Sequence, residues 1–235
     1  MKRISDEYSP VRKSQTVYGS ISVNYAFRGE KTIWCESTLE RDFLIRQEFN
    51  SNVIDIVSQP ITIPYITELG NESTYTPDFL VQFSSANCGD FEEIPCPLLI
   101  EIKPRKKLIE DWDKLKPKFK AAHTFAKEKG WKFKIINESR LYDQYWENIN
   151  FFFFFIRSHV DVYDEQTLIE TLDSLGQSTI NQLPAHIFKD KTNILRGIHQ
   201  VWALVAKRKI MCDLYCPLTA ETVIWTNQDD VLTRR

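Results

Sequence analysis

Apolar positions along this chain recur with two different periods, and the changes of period mark its elements. Leu39, Phe43, Leu44 and Phe49 give a helical stripe, opened by Ser37 three residues before Glu40 in the Ser-x-x-Glu order of a capping box. Strand-like segments follow at residues 53–57, 61–66, 75–83 and 98–103, with Pro60 and Pro64 marking edges or irregularities. Residues 84–97, with Asn87, Gly89 and two prolines, read as a polar connector. Helical spacing then predicts one long helix over 108–129, kinked or restarted at Pro117 and ended by Gly130. A further strand is expected at 131–136. Before the first helix, residues 20–25 read as extended. The order of helix, several strands, helix and strand predicts an α/β fold with a mixed sheet and flanking helices.

Beyond residue 148 the pattern changes. The apolar run at 148–156 is too short for periodicity to assign, and is read as a buried, helical connector. Helices are expected at 164–175, ending at Gly176, at 178–187 and at 192–207, with Trp202 on the core side of the last beside Ile198 and Val205. Strands at 210–215 and 221–226 then form a hairpin around Cys216-Pro217-Leu218. Three helices and a hairpin predict a winged-helix domain. The boundary is expected near 157–163, giving a first domain over 1–158 and a second over 159–235.

A chain of 235 residues, 43% of them hydrophobic, can bury real cores, and no apolar run reaches the eighteen residues of a membrane span. Five cysteines without a Cys-x-x-Cys pair argue against a disulfide framework and for a reduced, cytoplasmic protein; Cys212 and Cys216 read as buried thiols. The four histidines lack ligand spacing, and seven glycines form no phosphate-binding loop, which speaks against an intrinsic ATPase. Net charge is only −2, yet between Lys103 and Lys134 twelve Lys or Arg stand against four acids. Such asymmetry suits a protein that holds a polyanion on one face. Arg105, Lys106 and Lys107 lead this basic stretch and are the candidate DNA-phosphate contacts. Lys207, Arg208 and Lys209 suit DNA, an acidic partner, or the end of a helix dipole.

The candidate chemistry sits where the strands end. Asp78 follows Pro77, and after twenty-two intervening residues comes Glu101-Ile102-Lys103. Strand alternation puts Thr76, Asp78, Leu80 and Gln82 on one face and Tyr75, Phe79, Val81 and Phe83 on the other. Adjacent pairing would bring Asp78 beside Glu101 and Lys103, away from the aromatic core. Two converging carboxylates repel unless a proton or cation joins them. Asp78, Glu101 and the Ile102 carbonyl make a partial shell of hard oxygens for Mg²⁺, with Glu40 on the facing helix to complete a second metal site. Lys103 is then a point charge beside an attacking water or a phosphate, and the reaction class is phosphodiester hydrolysis. Taken singly, Glu40 is explained as a helix cap and Glu-x-Lys is common; their conjunction carries the signal. Gln59 stands on a neighbouring strand, within reach of the site or of backbone.

These segments resemble a known family. Glu36 to Phe43, Gln59-Pro60, Tyr75-Thr76-Pro77-Asp78-Phe79 and Leu99-Ile100-Glu101-Ile102-Lys103-Pro104 are similar in order and spacing to the TnsA endonuclease subunit of heteromeric transposases, over about residues 15–136. The resemblance implies a restriction-endonuclease-like fold with Glu40, Asp78, Glu101 and Lys103 as catalytic residues, and Glu40, Asp78, Glu101 and Ile102 as metal ligands. It implies Mg²⁺-dependent cleavage, with Mn²⁺ able to substitute, of the 5′ strands at double-stranded transposon ends in a bacterial cytoplasm. The implied partners are a TnsB-like DDE transposase and a TnsC-like AAA+ regulator, the latter meeting a C-terminal winged-helix domain. The rival readings are a stand-alone restriction or repair nuclease on the same site and a catalytically inactive DNA-binding adaptor.

Overall fold

A computed structural model describes residues 3–11, 23–50, 52–84 and 96–226. The extended reading at 20–22 and most of the polar connector, at 85–95, lie outside them. The chain divides into two compact units, 1–141 and 142–235.

The first unit opens with a hairpin of β1 (Val23–Phe27) and β2 (Lys31–Cys35), turned by Arg28 and Gly29 in the left-handed region. Helix α1 (Thr38–Glu48) starts at the Ser37 cap. Then come β3 (Val53–Ser58), β4 (Ile63–Ile66), β5 (Glu72–Tyr75), β6 (Phe79–Phe83) and β7 (Leu98–Ile102). Helices α2 (Arg105–Glu110) and α3 (Trp112–Glu128) lead to β8 (Lys132–Ile136) and the short α4 (Glu138–Leu141). The central sheet runs β3-β6-β7-β8; its first two pairings are antiparallel and the third is parallel. The parallel pair requires a crossover, which α2 and α3 supply. The expected α/β fold with a mixed sheet is therefore found.

Both faces of this sheet are covered. Phe79, Val81, Ile100 and Ile102 pack with Leu39, Phe43 and Leu44 of α1. Leu80 and Leu99 point the other way and pack with Phe119, Ala122 and Ala126 of α3. The face shared by Asp78 and Leu80 thus does not turn away from the core, as strand alternation alone suggests; α3 gives it a second core with its own aromatic, Phe119.

Two further expectations change. Residues 75–83 form two strands, because Pro77 has no N–H for a ladder. Tyr75 ends β5, which pairs with β4, and its ring joins the α3 core instead of siding with Phe79. The long helix is interrupted at Asp111 (φ −108°, ψ 15°) and not at Pro117, which lies inside α3. The interruption lets α3 lie against the sheet while α2 buries none of its residues. Gly130, at φ +72°, ends α3 as expected. Its N–H donates to the Lys127 carbonyl and that of Trp131 to Ala126, the paired bonds of a Schellman ending.

In the second unit, α5 (Gln144–Phe152) precedes α6 (Val162–Leu175), β9 (Ser178–Thr179), α7 (Gln182–Ile187), α8 (Lys191–Ala206), β10 (Ile210–Cys212) and β11 (Val223–Thr226). Its antiparallel sheet runs β10-β11-β9, so Ser178 and Thr179 form a strand where a helix was expected. The unit starts earlier than the expected boundary because α5 packs on α8: Phe151 and Phe152 lie against Trp202, which is buried as anticipated. The 148–156 run is not uniformly buried, since Phe154 is 82% exposed. Cys212 is buried, whereas Cys216 is exposed beside Asp213. Lys207 donates to the Ser158 carbonyl (2.7 Å) and Lys209 pairs with Glu165, so both have internal partners at the end of α8. Among the described residues no helix is long and apolar enough to cross a membrane.

Candidate active site

The geometry at the ends of β6 and β7 follows from their register. Phe79 pairs with Ile100 and Leu80 with Leu99, and the ladder extends one residue further as the Asp78 N–H donates to the Ile100 carbonyl (3.0 Å). This sets Asp78 opposite Glu101. The Asp78 carboxylate accepts from the Ile102 N–H at 2.6 Å. On its other side the Asp78 carbonyl accepts from the Gln59 N–H at 2.7 Å, tying the end of β3 to the same place. Gln59 holds a left-handed backbone (φ +46°), unusual for a side chain of its size, and its amide nitrogen donates to Glu36 at 2.8 Å. Gln59 thus serves the frame of the site, bonded both to backbone and to Glu36.

Glu101 is 2% exposed and surrounded by donors. The Tyr75 hydroxyl donates to its Oε2 at 2.6 Å, and Lys103 and Lys118 approach its Oε1 at 3.3 and 3.6 Å. Three donors take the place of the water that burial removes from this carboxylate. Burial and the neighbouring Glu101 push the Tyr75 hydroxyl far above its ordinary pKa, so it remains a donor. Burial works against the Lys103 charge, but attraction from Glu101, then Asp78 and Glu40, leaves its pKa raised.

Asp78 has the opposite problem. Burial, followed by the charges of Glu101 and Glu40, holds its carboxyl well above the usual carboxylate range; the Ile102 N–H and Lys103 offset this only in part. Glu40 is raised too, by burial first and by Glu36 among its neighbours. Its carboxylate accepts from the Ser37 hydroxyl (2.8 Å) and the Glu36 N–H (2.8 Å), while Ser37 Oγ accepts from the Glu40 N–H (3.2 Å). Both Glu40 oxygens are therefore engaged at the start of α1, even as its charge is felt by Asp78 and Lys103.

The four residues singled out from the sequence are electrostatic neighbours at one end of the sheet. Their donor set is hard oxygen, with negative charge that a cation would relieve. Among the described residues, no group of three or more His, Cys, Asp and Glu side chains is arranged around one point. The residues fit a site of two carboxylates, Asp78 and Glu101, with the Ile102 carbonyl and waters, the sparse protein shell that Mg²⁺ accepts. Glu40 would first have to exchange its capping bonds. Arg105, Lys106 and Lys107 follow on the exposed α2, whose first N–H is capped by the Glu138 carboxylate at 2.9 Å.

Tyr75 and Lys118 belong to this cluster although the sequence did not point to them. Tyr75 stands in the Tyr-x-Pro-Asp segment, but strand alternation alone places it on the face opposite Asp78. Lys118 was one of four alternating lysines on a helix, with nothing local to distinguish it from Lys114, Lys116 and Lys120. No curated protein matches the chain. A family model does: residues 50–138 are similar to the TnsA-like endonuclease N-terminal domain, a span that contains Asp78, Glu101, Lys103, Tyr75 and Lys118.

Proposed function

We propose that this protein is a metal-dependent DNA endonuclease of a heteromeric transposase, hydrolysing the 5′ strands at transposon ends. One observation carries the reading: Asp78 and Glu101 meet across β6 and β7, with Asp78 so placed that its negative charge is disfavoured until a cation arrives. When bound, Mg²⁺ (or Mn²⁺) supplies charge neutralisation at the scissile phosphate and a more acidic water. Asp78 and Glu101 hold it, helped by the Ile102 carbonyl, and Glu40 adds negative potential from α1 and is the candidate ligand of a second ion. Lys103, fixed against Glu101 at 3.3 Å, offers its ammonium to the attacking water or the crowded phosphate. Arg105, Lys106 and Lys107, exposed one turn beyond, contact backbone phosphates and raise affinity without reading sequence.

For the second unit we propose a winged-helix domain that recruits partners. Its order of helix, short strand, two helices and hairpin, with β11 between β10 and β9, supports that assignment. A TnsC-like regulator is its proposed partner and a TnsB-like transposase cuts the other strands. An inactive adaptor is the second reading, favoured by the full engagement of Glu40 by its cap and of Glu101 by two lysines and a tyrosine.

The test is strand-specific nicking of end-labelled transposon DNA with partner proteins and Mg²⁺ present. Asp78→Ala and Lys103→Ala should each abolish 5′-strand cuts while leaving DNA binding. Nicking that survives in both variants would remove the site assignment, and nicking by the isolated chain on unrelated DNA would favour a stand-alone nuclease.

A further inference from the structure

Lys118 behaves unlike its neighbours on α3. Lys114, Lys116 and Lys120 are exposed, whereas the Lys118 side chain is only 18% exposed. Its ammonium lies over the rings of Tyr75 and Phe119, with Nζ 4.6 and 5.2 Å from their centroids, and 3.6 Å from Glu101 Oε1. Lys103 reaches the same oxygen at 3.3 Å, and the Tyr75 hydroxyl takes the other. A carboxylate offers about four lone-pair directions. Three are addressed by donors here, two of them carrying full positive charge.

We propose that Lys118 is a positioning residue that competes with the divalent cation for Glu101, so that metal enters only as the Lys118–Glu101 pair is given up. This rests on Glu101 being a metal ligand. One lysine, Lys103, already neutralises Glu101 and belongs to the sequence pattern of the site. The second cation comes from a different element, lies over two aromatic rings and, among the described residues, pairs with no other acid. Its charge stands in the position that a bound ion must share. The arrangement keeps the carboxylate ordered without metal and weakens metal binding by repulsion. Partner or DNA contacts that draw Lys118 toward a phosphate would lift that repulsion and couple metal loading to substrate.

Mn²⁺ binding to the intact protein, measured by calorimetry and by loss of the free-ion paramagnetic resonance signal, tests this without reference to cleavage. Lys118→Met keeps an unbranched apolar chain of similar length without the charge and should bind Mn²⁺ about ten-fold or more tightly than wild type, since the repulsion acts at short range in a poorly solvated site. Lys118→Arg should stay near the wild-type value. Circular dichroism melts verify folding, and Lys118→Gln replaces the Met variant if that one does not fold. Binding in Lys118→Met that is unchanged or weaker, yet still abolished by adding Asp78→Ala, would overturn the competition and spare the site. If neither wild type nor Lys118→Met shows Mn²⁺ binding that depends on Asp78, the metal site itself is wrong and the inference falls with it.

Discussion

Replacing Tyr75 by Phe isolates one bond in the most crowded part of the molecule. Tyr75 and Glu101 are 5% and 2% exposed, and the hydroxyl donates to the carboxylate at 2.6 Å. Removing the oxygen leaves the ring in place: its edge contact with Phe119 (6.1 Å between centroids) and the Lys118 ammonium over its face do not need the hydroxyl. What is lost is a hydrogen bond to a charged group, which contributes about 1.5–3 kcal/mol. Because Lys103 and Lys118 still neutralise Oε1, the cost should stay within that range and not reach that of an unpaired buried charge. The chain has two units, so a single unfolding midpoint would blur the effect. Native-state hydrogen exchange of the amides in Phe79–Phe83 and Leu98–Ile102 reads the first unit alone, and their slowest exchange should quicken about 10- to 150-fold. A change below about three-fold would mean that Glu101 gains nothing net from the hydroxyl, contrary to a charge-assisted bond. A loss beyond about 4 kcal/mol would mean that the ring itself had moved. A double-mutant cycle with Glu101→Gln assigns the energy to the pair, because the coupling vanishes if the two side chains act independently.

Other outcomes follow from the same geometry. Asp78→Asn should slow the exchange of the first unit's core amides relative to wild type in the metal-free protein at neutral pH: the native carboxyl titrates above its unfolded value, so its ionised form destabilises the fold. That advantage is full above the raised native pKa, shrinks as pH falls through it and is gone below the unfolded value near 4, so an advantage that grew on acidification would contradict the raised pKa. Ser37→Ala removes the α1 cap and one partner of Glu40, and should cost about 1 kcal/mol in the stability of the first unit, read by the same exchange measurement. Gly130→Ala meets no atom within 4 Å and pays only for its φ of +72°, about 1–2 kcal/mol. Gly197→Ala would set a methyl 2.8 Å from both the Phe188 ring and Pro184, and should cost more, about 1–3 kcal/mol, with exchange quickening in the second unit only.

The sequence by itself determined the elements whose signals are local. Ser37 and Glu40 announced the start of α1, Gly130 and Gly176 ended helices through their positive φ, and Asp78 with Glu101 and Lys103 marked two strand ends. These depend on neighbours within a few residues, where backbone sterics and side-chain capping act. The resemblance to a nuclease family was legible for the same reason, since its motif is carried by short segments in a fixed order.

Tertiary structure decided which faces those strands presented and which charges met. Pro77 divided one apparent strand into β5 and β6, and so sent Tyr75 into the α3 core beside Glu101. Packing of α3 distinguished Lys118 from Lys114, Lys116 and Lys120, because it brings the Lys118 ammonium over the Tyr75 and Phe119 rings and within reach of Glu101. Phe151 and Phe152 joined α5 to α8 through Trp202, a contact made across about fifty residues of sequence that no local pattern encodes. Periodicity tells a side chain which way to point relative to its own element. The environment it then finds, core or solvent, lysine or carboxylate, is set by elements distant in the chain, and these gave Asp78 and Glu101 their neighbours.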